Sequence, residues 1–192
     1  MVTHTVGVLA LQGDVREHVQ ILKALDCNVI EVRTAKDLEA VDALVLPGGE
    51  STTIFKLAVI FGMLEPLRNA IKAGLPVLGT CAGMILLSSE ILDPASDQQP
   101  FGGLDISVRR NAFGNQNDSF ETELQVSGVE GLVKAAFIRA PIVERVGEGV
   151  EVISSLPSGQ IVGVRQAKII AISFHPEMYG DSRIHKLLID SI

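Results

Sequence analysis

The feature that most constrains the fold is an alternation, along the first half of the chain, of short apolar runs with segments of helical period. Thr5–Leu11 reads as a strand, about Asp14 to Leu25 as a helix, Asn28–Arg33 as a second strand and Ala43–Leu46 as a third. Residues Thr52–Ile60 and Leu64–Ala73 read as helical, and Pro76–Gly79 as the fourth strand. Parallel strands require such crossovers, and the crossovers are right-handed almost without exception. The pattern predicts a three-layer, doubly wound α/β fold, with a mainly parallel central sheet and helices on both faces in the flavodoxin-like manner. The 47% hydrophobic content with only 4% aromatic residues and no Trp fits it, because buried parallel sheets are built from Val, Ile, Leu and Ala.

After Glu90 the pattern changes. Asp93–Gly103 reads as a loop, and Leu104–Val108, Glu123–Val126, Ala135–Ile138, Val150–Ser154, Ile161–Arg165 and Ile169–Phe174 as strands, several of them antiparallel, before a closing helix over Asp181–Ile192. With 192 residues, no repeat and no long linker, the expectation is one domain spanning 1–192. A net charge of −7 without a Lys/Arg block removes the usual source of phosphate attraction, so a nucleic-acid partner is not expected. The apolar runs fall far short of the roughly 20 residues that cross a bilayer, and Met1–Leu11 lacks the features of a signal peptide. A cytoplasmic protein with no membrane partner is expected. Cys27 and Cys81 are its only cysteines, too few for a disulfide framework, and Cys27 reads as a packed apolar residue.

Chemistry concentrates at three places. Leu75–Gly83 puts Cys81 at the turn from the fourth strand into a helix read over Met84–Glu90. This is the outline of a nucleophile elbow, whose strained central residue demands small neighbours; Gly79 and Gly83 supply them at i−2 and i+2. A helix start adds partial positive charge and free N–H groups beside the sulfur, which favours the thiolate and makes the Ala82 N–H a candidate oxyanion donor. A lone cysteine is more often a core residue, so the reading depends on its partners.

Of the four histidines, His4 lies near the terminus, His185 reads as solvated on the last helix and His18 has no evident catalytic role. His175 differs, because it ends a strand within Ser173-Phe174-His175-Pro176-Glu177. Carboxyl ends of parallel strands are where α/β folds place their sites, so His175 and Cys81 can meet there. In an extended segment Glu177 faces the same side as His175 and can hold its tautomer, with Pro176 stiffening the pair. The bland alternative is a locally satisfied His beside a surface Glu. Third, Leu46-Pro47-Gly48-Gly49-Glu50-Ser51-Thr52-Thr53 opens a helix after the third strand. Its glycines let a backbone N–H approach a substrate, which would complete an oxyanion hole; the plainer alternative is a Gly-rich turn with Ser51 as helix N-cap. The Lys of a phosphate-binding loop is absent.

Together, Pro47–Thr53, Gly79–Gly83 and Phe174–Glu177 resemble the class I, triad-type glutamine amidotransferases. Gly7–Gly13, Arg16–His18, Arg110-Asn111-Ala112-Phe113-Gly114, Asp118–Glu121 and Phe137–Pro141 narrow the resemblance to the glutaminase subunits of pyridoxal 5'-phosphate synthases. What the resemblance implies is a glutaminase in which Cys81 attacks the glutamine amide, His175 shuttles the proton and Glu177 orients His175. It also implies that Gly49, Glu50, Ser51, Arg110, Ile138 and Arg139 bind L-glutamine, and that a synthase subunit is the hetero-oligomeric partner receiving ammonia. No cofactor or metal is implied. An amino-acid substrate needs such groups, since Arg offers a two-pronged grip on a carboxylate. Rival readings are a γ-glutamyl hydrolase or cysteine peptidase on the same scaffold, or a non-catalytic subunit kept for docking. The two arginines argue against the first and an intact triad against the second.

Overall fold

In the computed structural model, which describes residues 3–95, 97–112 and 119–192, the chain alternates as expected as far as the cysteine turn. The elements of that half are β1 (Thr5–Leu9), α1 (Val15–Ala24), β2 (Asn28–Val32), α2 (Ala35–Glu39), β3 (Ala43–Leu46), α3 (Ser51–Ile60), α4 (Leu64–Lys72), β4 (Val77–Thr80) and α5 (Ala82–Leu87). The remainder comprises β5 (Ser88–Ile91), β6 (Leu104–Arg109), β7 (Phe120–Gln125), β8 (Leu132–Phe137), β9 (Ile142–Val146), β10 (Glu151–Ser155), β11 (Ile161–Gln166) and β12 (Ile169–Ile172). A 3-10 turn at Pro176–Tyr179 and α6 (Arg183–Ile189) complete it. Phe113, Gly114 and Asp118, part of the motifs quoted above, lie outside the described residues.

Strands β2-β1-β3-β4-β12 lie side by side and run parallel. From β12 the sheet continues antiparallel through β11, β9 and β6, with β5 parallel to β6 at the edge and β10 also on β11. Strands β7 and β8 form a separate antiparallel pair. Period-two alternation divides the parallel strands between two cores. Leu44, Leu46, Val77, Ile169 and Ala171 face a cluster built with α2, α3, α4 and α5. Ala43, Val45, Leu78, Ile170 and Ile172 face another, built with α1, α6 and the β7–β8 pair. Helices thus cover both faces of the sheet, and the four loops that follow β1, β3, β4 and β12 emerge at one edge.

Three differences from the expected elements have local causes. The helix after Cys81 ends at Leu87 rather than Glu90, because Ser88 turns extended (φ −64°, ψ 159°) and its Oγ donates to the Ile85 carbonyl at 2.8 Å. Phe101 N–H takes the Leu86 carbonyl at 2.6 Å, and the following residues are freed to pair with β6. Helix α2 starts on a capping box, Thr34 with Asp37, short enough to escape a periodicity reading. Strand β9 carries Glu144 and Arg145 and is largely exposed, so it shows no apolar run.

Candidate active site

At the end of β4 the chain turns so sharply that Cys81 sits at φ 47° and ψ −98°, a region that costs an L residue about 1–3 kcal/mol. The turn is held by the Cys81 N–H donating to the Ile172 carbonyl at 2.8 Å and by the Cys81 carbonyl accepting from Met84 N–H at 3.1 Å. A Cβ on Gly79 would stand 2.7 Å from the Gly83 carbonyl carbon, and one on Gly83 would overlap the Leu46 carbonyl. Both flanking glycines are therefore required by close packing. Ala82, next in line, opens α5, where first-turn N–H groups have no carbonyl of their own helix to bond.

His175 follows β12 and is 4% exposed, with its backbone N–H donating to the Ala136 carbonyl at 3.1 Å. Its Nδ1 lies 2.7 Å from Glu177 Oε1, a carboxylate that is itself 4% exposed. The route differs from the expected extended segment. Pro176 begins a 3-10 turn, for which its fixed φ is suited, Gly180 closes that turn at φ 66°, and Glu177 curls back onto the ring. Burial lowers the ring's pKa, but hydrogen bonds with Cys81 and Glu177, and their charges, outweigh it and push the pKa from 6.5 up to about 11. Cys81 and His175 are thus in contact, and the ring is held as a cation. Gly48 packs against this ring so closely that a Cβ there would overlap His175 Cε1.

A cleft of about 380 Å³ opens over these groups and is lined by Gln12, Gly49, Glu50, Ser51, Arg110, Ile138 and Arg139 as well as Cys81 and His175. Larger surface depressions, of about 510 and 480 Å³, contain neither Cys81 nor His175. Gly49 has φ 151° and is wedged against the Gln12 side chain, whose Oε1 accepts from Glu50 N–H at 2.8 Å. Glu50, not Ser51, caps α3: its carboxylate accepts from Thr52 N–H at 3.2 Å and Thr53 N–H at 2.8 Å. Burial raises its pKa, and these hydrogen bonds win and lower it. The carboxylate also receives Arg110 Nη2 at 3.3 Å, while Arg110 Nη1 donates to Gln98 Oε1 at 2.9 Å. Gln98 Nε2 in turn donates to Ser51 Oγ at 2.9 Å. Gln98 is buried and was missed in the sequence, where it sits in an aperiodic loop with no signal to mark it. Ile138 is 36% exposed at the rim, and Arg139 beside it has φ 46°, an uncommon conformation for a non-glycine residue.

Two further residues gather near His175. Asp14 Oδ2 lies 3.4 Å from its Nδ1, with burial as the main cause of a raised carboxyl pKa. Asp14, His175 and Glu177 place donor atoms within 4.8 Å of one another, a spacing that could hold a metal ion. A metal would need the neutral imidazole, and the raised pKa of His175 favours the hydrogen-bonded cation instead. His185 is fully buried rather than solvated, because α6 packs into the second core, and it contacts His18.

The profile of the SNO glutamine amidotransferase family matches residues 8–192. The chain is 58% identical to the pyridoxal 5'-phosphate synthase subunit PdxT of Streptomyces griseus over 191 residues, 99% of this chain and 96% of that one. It is 55% identical to the subunit of the same name from Mycobacteroides abscessus over 187 residues, 97% of this chain and 96% of that one. A crystal structure of a glutamine amidotransferase superposes with a TM-score of 0.90 at 48% identity, covering 97% of both chains. The PurLQS structure from Thermotoga maritima superposes at 0.69 with 17% identity, covering 99% of both chains, a likeness of fold alone. Matched over nearly its whole length, the chain belongs to the SNO glutamine amidotransferase family.

Proposed function

We propose that this protein hydrolyses L-glutamine to L-glutamate and ammonia on Cys81 and delivers the ammonia to a synthase subunit that makes pyridoxal 5'-phosphate. The observation that carries the reading is the Cys81–His175–Glu177 contact chain, assembled from two strand ends at the floor of one cleft. The Cys81 sulfur adds to the side-chain amide carbon, and the Gly49 and Ala82 N–H groups are the donors assigned to the resulting oxyanion. His175 gives its proton to the departing nitrogen, so ammonia leaves and a thioester remains. Water then adds with His175 as base, releasing glutamate and restoring Cys81. Glu177 keeps the imidazole in the tautomer that can do both.

Arg110 and Arg139 are assigned to the substrate's α-carboxylate, Glu50 to its ammonium, and Ser51 and Ile138 to the walls. The partner is read from the names of relatives more than half identical over nearly all of their length. A γ-glutamyl hydrolase or cysteine peptidase would share the elbow, and what favours the glutaminase over it is the match to glutamine amidotransferases over residues 8–192. The continuous sheet, with one core on each face, supports reading 1–192 as one amidotransferase domain. No helix among the described residues is long and apolar enough to cross a membrane. Together with two free cysteines, this supports a cytoplasmic location. The test is a steady-state glutaminase assay with and without the synthase subunit. Cys81→Ala is expected to retain less than about a hundredth of the activity; substantial hydrolysis by that variant would refute the mechanism.

A further inference from the structure

Glu177 has a second histidine neighbour, which the reaction as described does not use. His18 on α1 and His185 on α6 are both completely buried, with His18 Nδ1 2.8 Å from His185 Nε2. His18 Nε2 lies 3.2 Å from Thr80 Oγ1 and 3.7 Å from Glu177 Oε1. Thr80 immediately precedes Cys81. The histidine pair therefore reaches Glu177 and the residue before Cys81, and neither ring lines the cleft.

Complete burial disfavours a charge on either ring. Burial, reinforced by the neighbouring His185 and His175, holds the His18 pKa well below its usual 6.5, and burial takes His185 down to about 4 against the pull of Asp181. A neutral ring has one donor and one acceptor, so the pair has two possible proton arrangements. If His18 carried its proton on Nδ1, His185 would carry one on its own Nδ1, which is buried without a partner among the described residues. His18 would then turn a lone pair toward the Glu177 carboxylate. An orphaned buried N–H and a lone pair facing an anion are both unfavourable. In the other arrangement His185 Nε2–H donates to His18 Nδ1, and the protonated His18 Nε2 has the Thr80 hydroxyl at hydrogen-bond distance and Glu177 Oε1 at 3.7 Å, near enough for electrostatic attraction. The one ring nitrogen of the pair left without a partner among the described residues, His185 Nδ1, is then an acceptor.

Glu177 needs such a neighbour. Its Oε2 is buried with no hydrogen-bond partner among the described residues, so Oε1 alone fixes the carboxylate against His175. We propose that His18, fixed by His185, is a positioning residue that presents Nε2–H to Glu177 and so holds that carboxylate on His175 Nδ1. A neutral donor suits this role because it stabilises the carboxylate without competing as a cation for it. The proposal rests on the triad reading above.

The test is steady-state glutamine hydrolysis by the complex with synthase, for His18→Leu, His18→Gln, Glu177→Gln and the double variant His18→Leu/Glu177→Gln. His18→Leu is expected to lower kcat about tenfold with KM within about twofold, and His18→Gln, which restores an N–H donor, to recover most of the loss. In the Glu177→Gln background, His18→Leu should cost less than about twofold more, because the carboxylate it positions is gone. Equal losses in His18→Leu and His18→Gln, or an undiminished loss in the Glu177→Gln background, would overturn the proposal. A Glu177→Gln protein as active as wild type would refute the triad reading itself, and so separates the two failures. Side-chain 15N shifts of the unmutated protein decide the matter even where variants fail to fold. A proton on His18 Nε2 is expected, and a proton on Nδ1 would overturn the assignment.

Discussion

Arg110 can read a carboxylate only if its guanidinium is held in place, and what holds it is Gln98 at 2.9 Å and Glu50 at 3.3 Å. Gln98→Leu keeps the bulk and removes the side-chain bonds to Arg110, Ser51 and Thr52. It is expected to raise KM for glutamine about tenfold, the worth of one hydrogen bond to a charged group, with kcat changed less than about threefold. Unchanged KM in steady-state kinetics would show that Arg110 is placed without it. His175 makes a second prediction at this scale. Its folded pKa of about 11 lies above the unfolded 6.5, so its contribution to stability is fully present below about pH 6.5 and is lost as pH rises toward 11. Urea midpoints should fall between pH 7 and 11 more steeply for wild type than for Cys81→Ala, which lacks one of the groups that raise the pKa. Parallel pH profiles would contradict the coupling of these two side chains. That Cys81, His175 and Glu177 gather at one place was legible in the sequence because a Cys between glycines and a His-Pro-Glu run are local patterns. Gln98 and the burial of His185 were not, because each depends on residues far away along the chain.

Among the elements, the loops after β3 and β4 are shaped by what presses on them. Gly48 has no room for a side chain because the His175 ring occupies that space. Gly48→Ala is expected to displace the imidazole and lower kcat about a hundredfold, the loss that a misplacement of about 1 Å can produce. Gly62 sits at φ 67° with nothing near its Cβ position, so Gly62→Ala should cost about 1 kcal/mol in stability and leave kcat intact. Thermal melts and kinetics on the two variants separate backbone strain from site geometry; full activity in Gly48→Ala would remove the loop from the site. Strands β1, β3, β4 and β12 could be read from the sequence because both their faces are buried and their apolar runs are continuous. Strand β9 and the short β5 were hidden, the first by its charged face and the second because Ser88–Ile91 continues a helical pattern until Ser88 bonds back to Ile85.

For the whole molecule, the parallel order β2-β1-β3-β4-β12 explains why residues distant along the chain meet, since all four site loops leave the same edge of the sheet. The cleft that Cys81 lines opens at that edge, and Gly49, at φ 151° against the Gln12 side chain, lines it too. Free ammonia made without an acceptor is wasted, so docking is expected to turn this peptide into its productive orientation. One correctly aimed oxyanion donor is worth about 10²–10³ in kcat, and saturating synthase should raise kcat by a factor of that order. Equal kcat for free and complexed chains would defeat the gating idea and leave the triad in place. The account as a whole depends on Cys81 being the nucleophile of a glutamine-selective site. Its most direct test is mass spectrometry after exposure to a chloroketone analogue of glutamine, with Cys27 as the internal control. A single adduct on Cys81, suppressed by excess glutamine, is the predicted result; modification of Cys27 alone, or labelling of Cys81 that glutamine does not suppress, would contradict it.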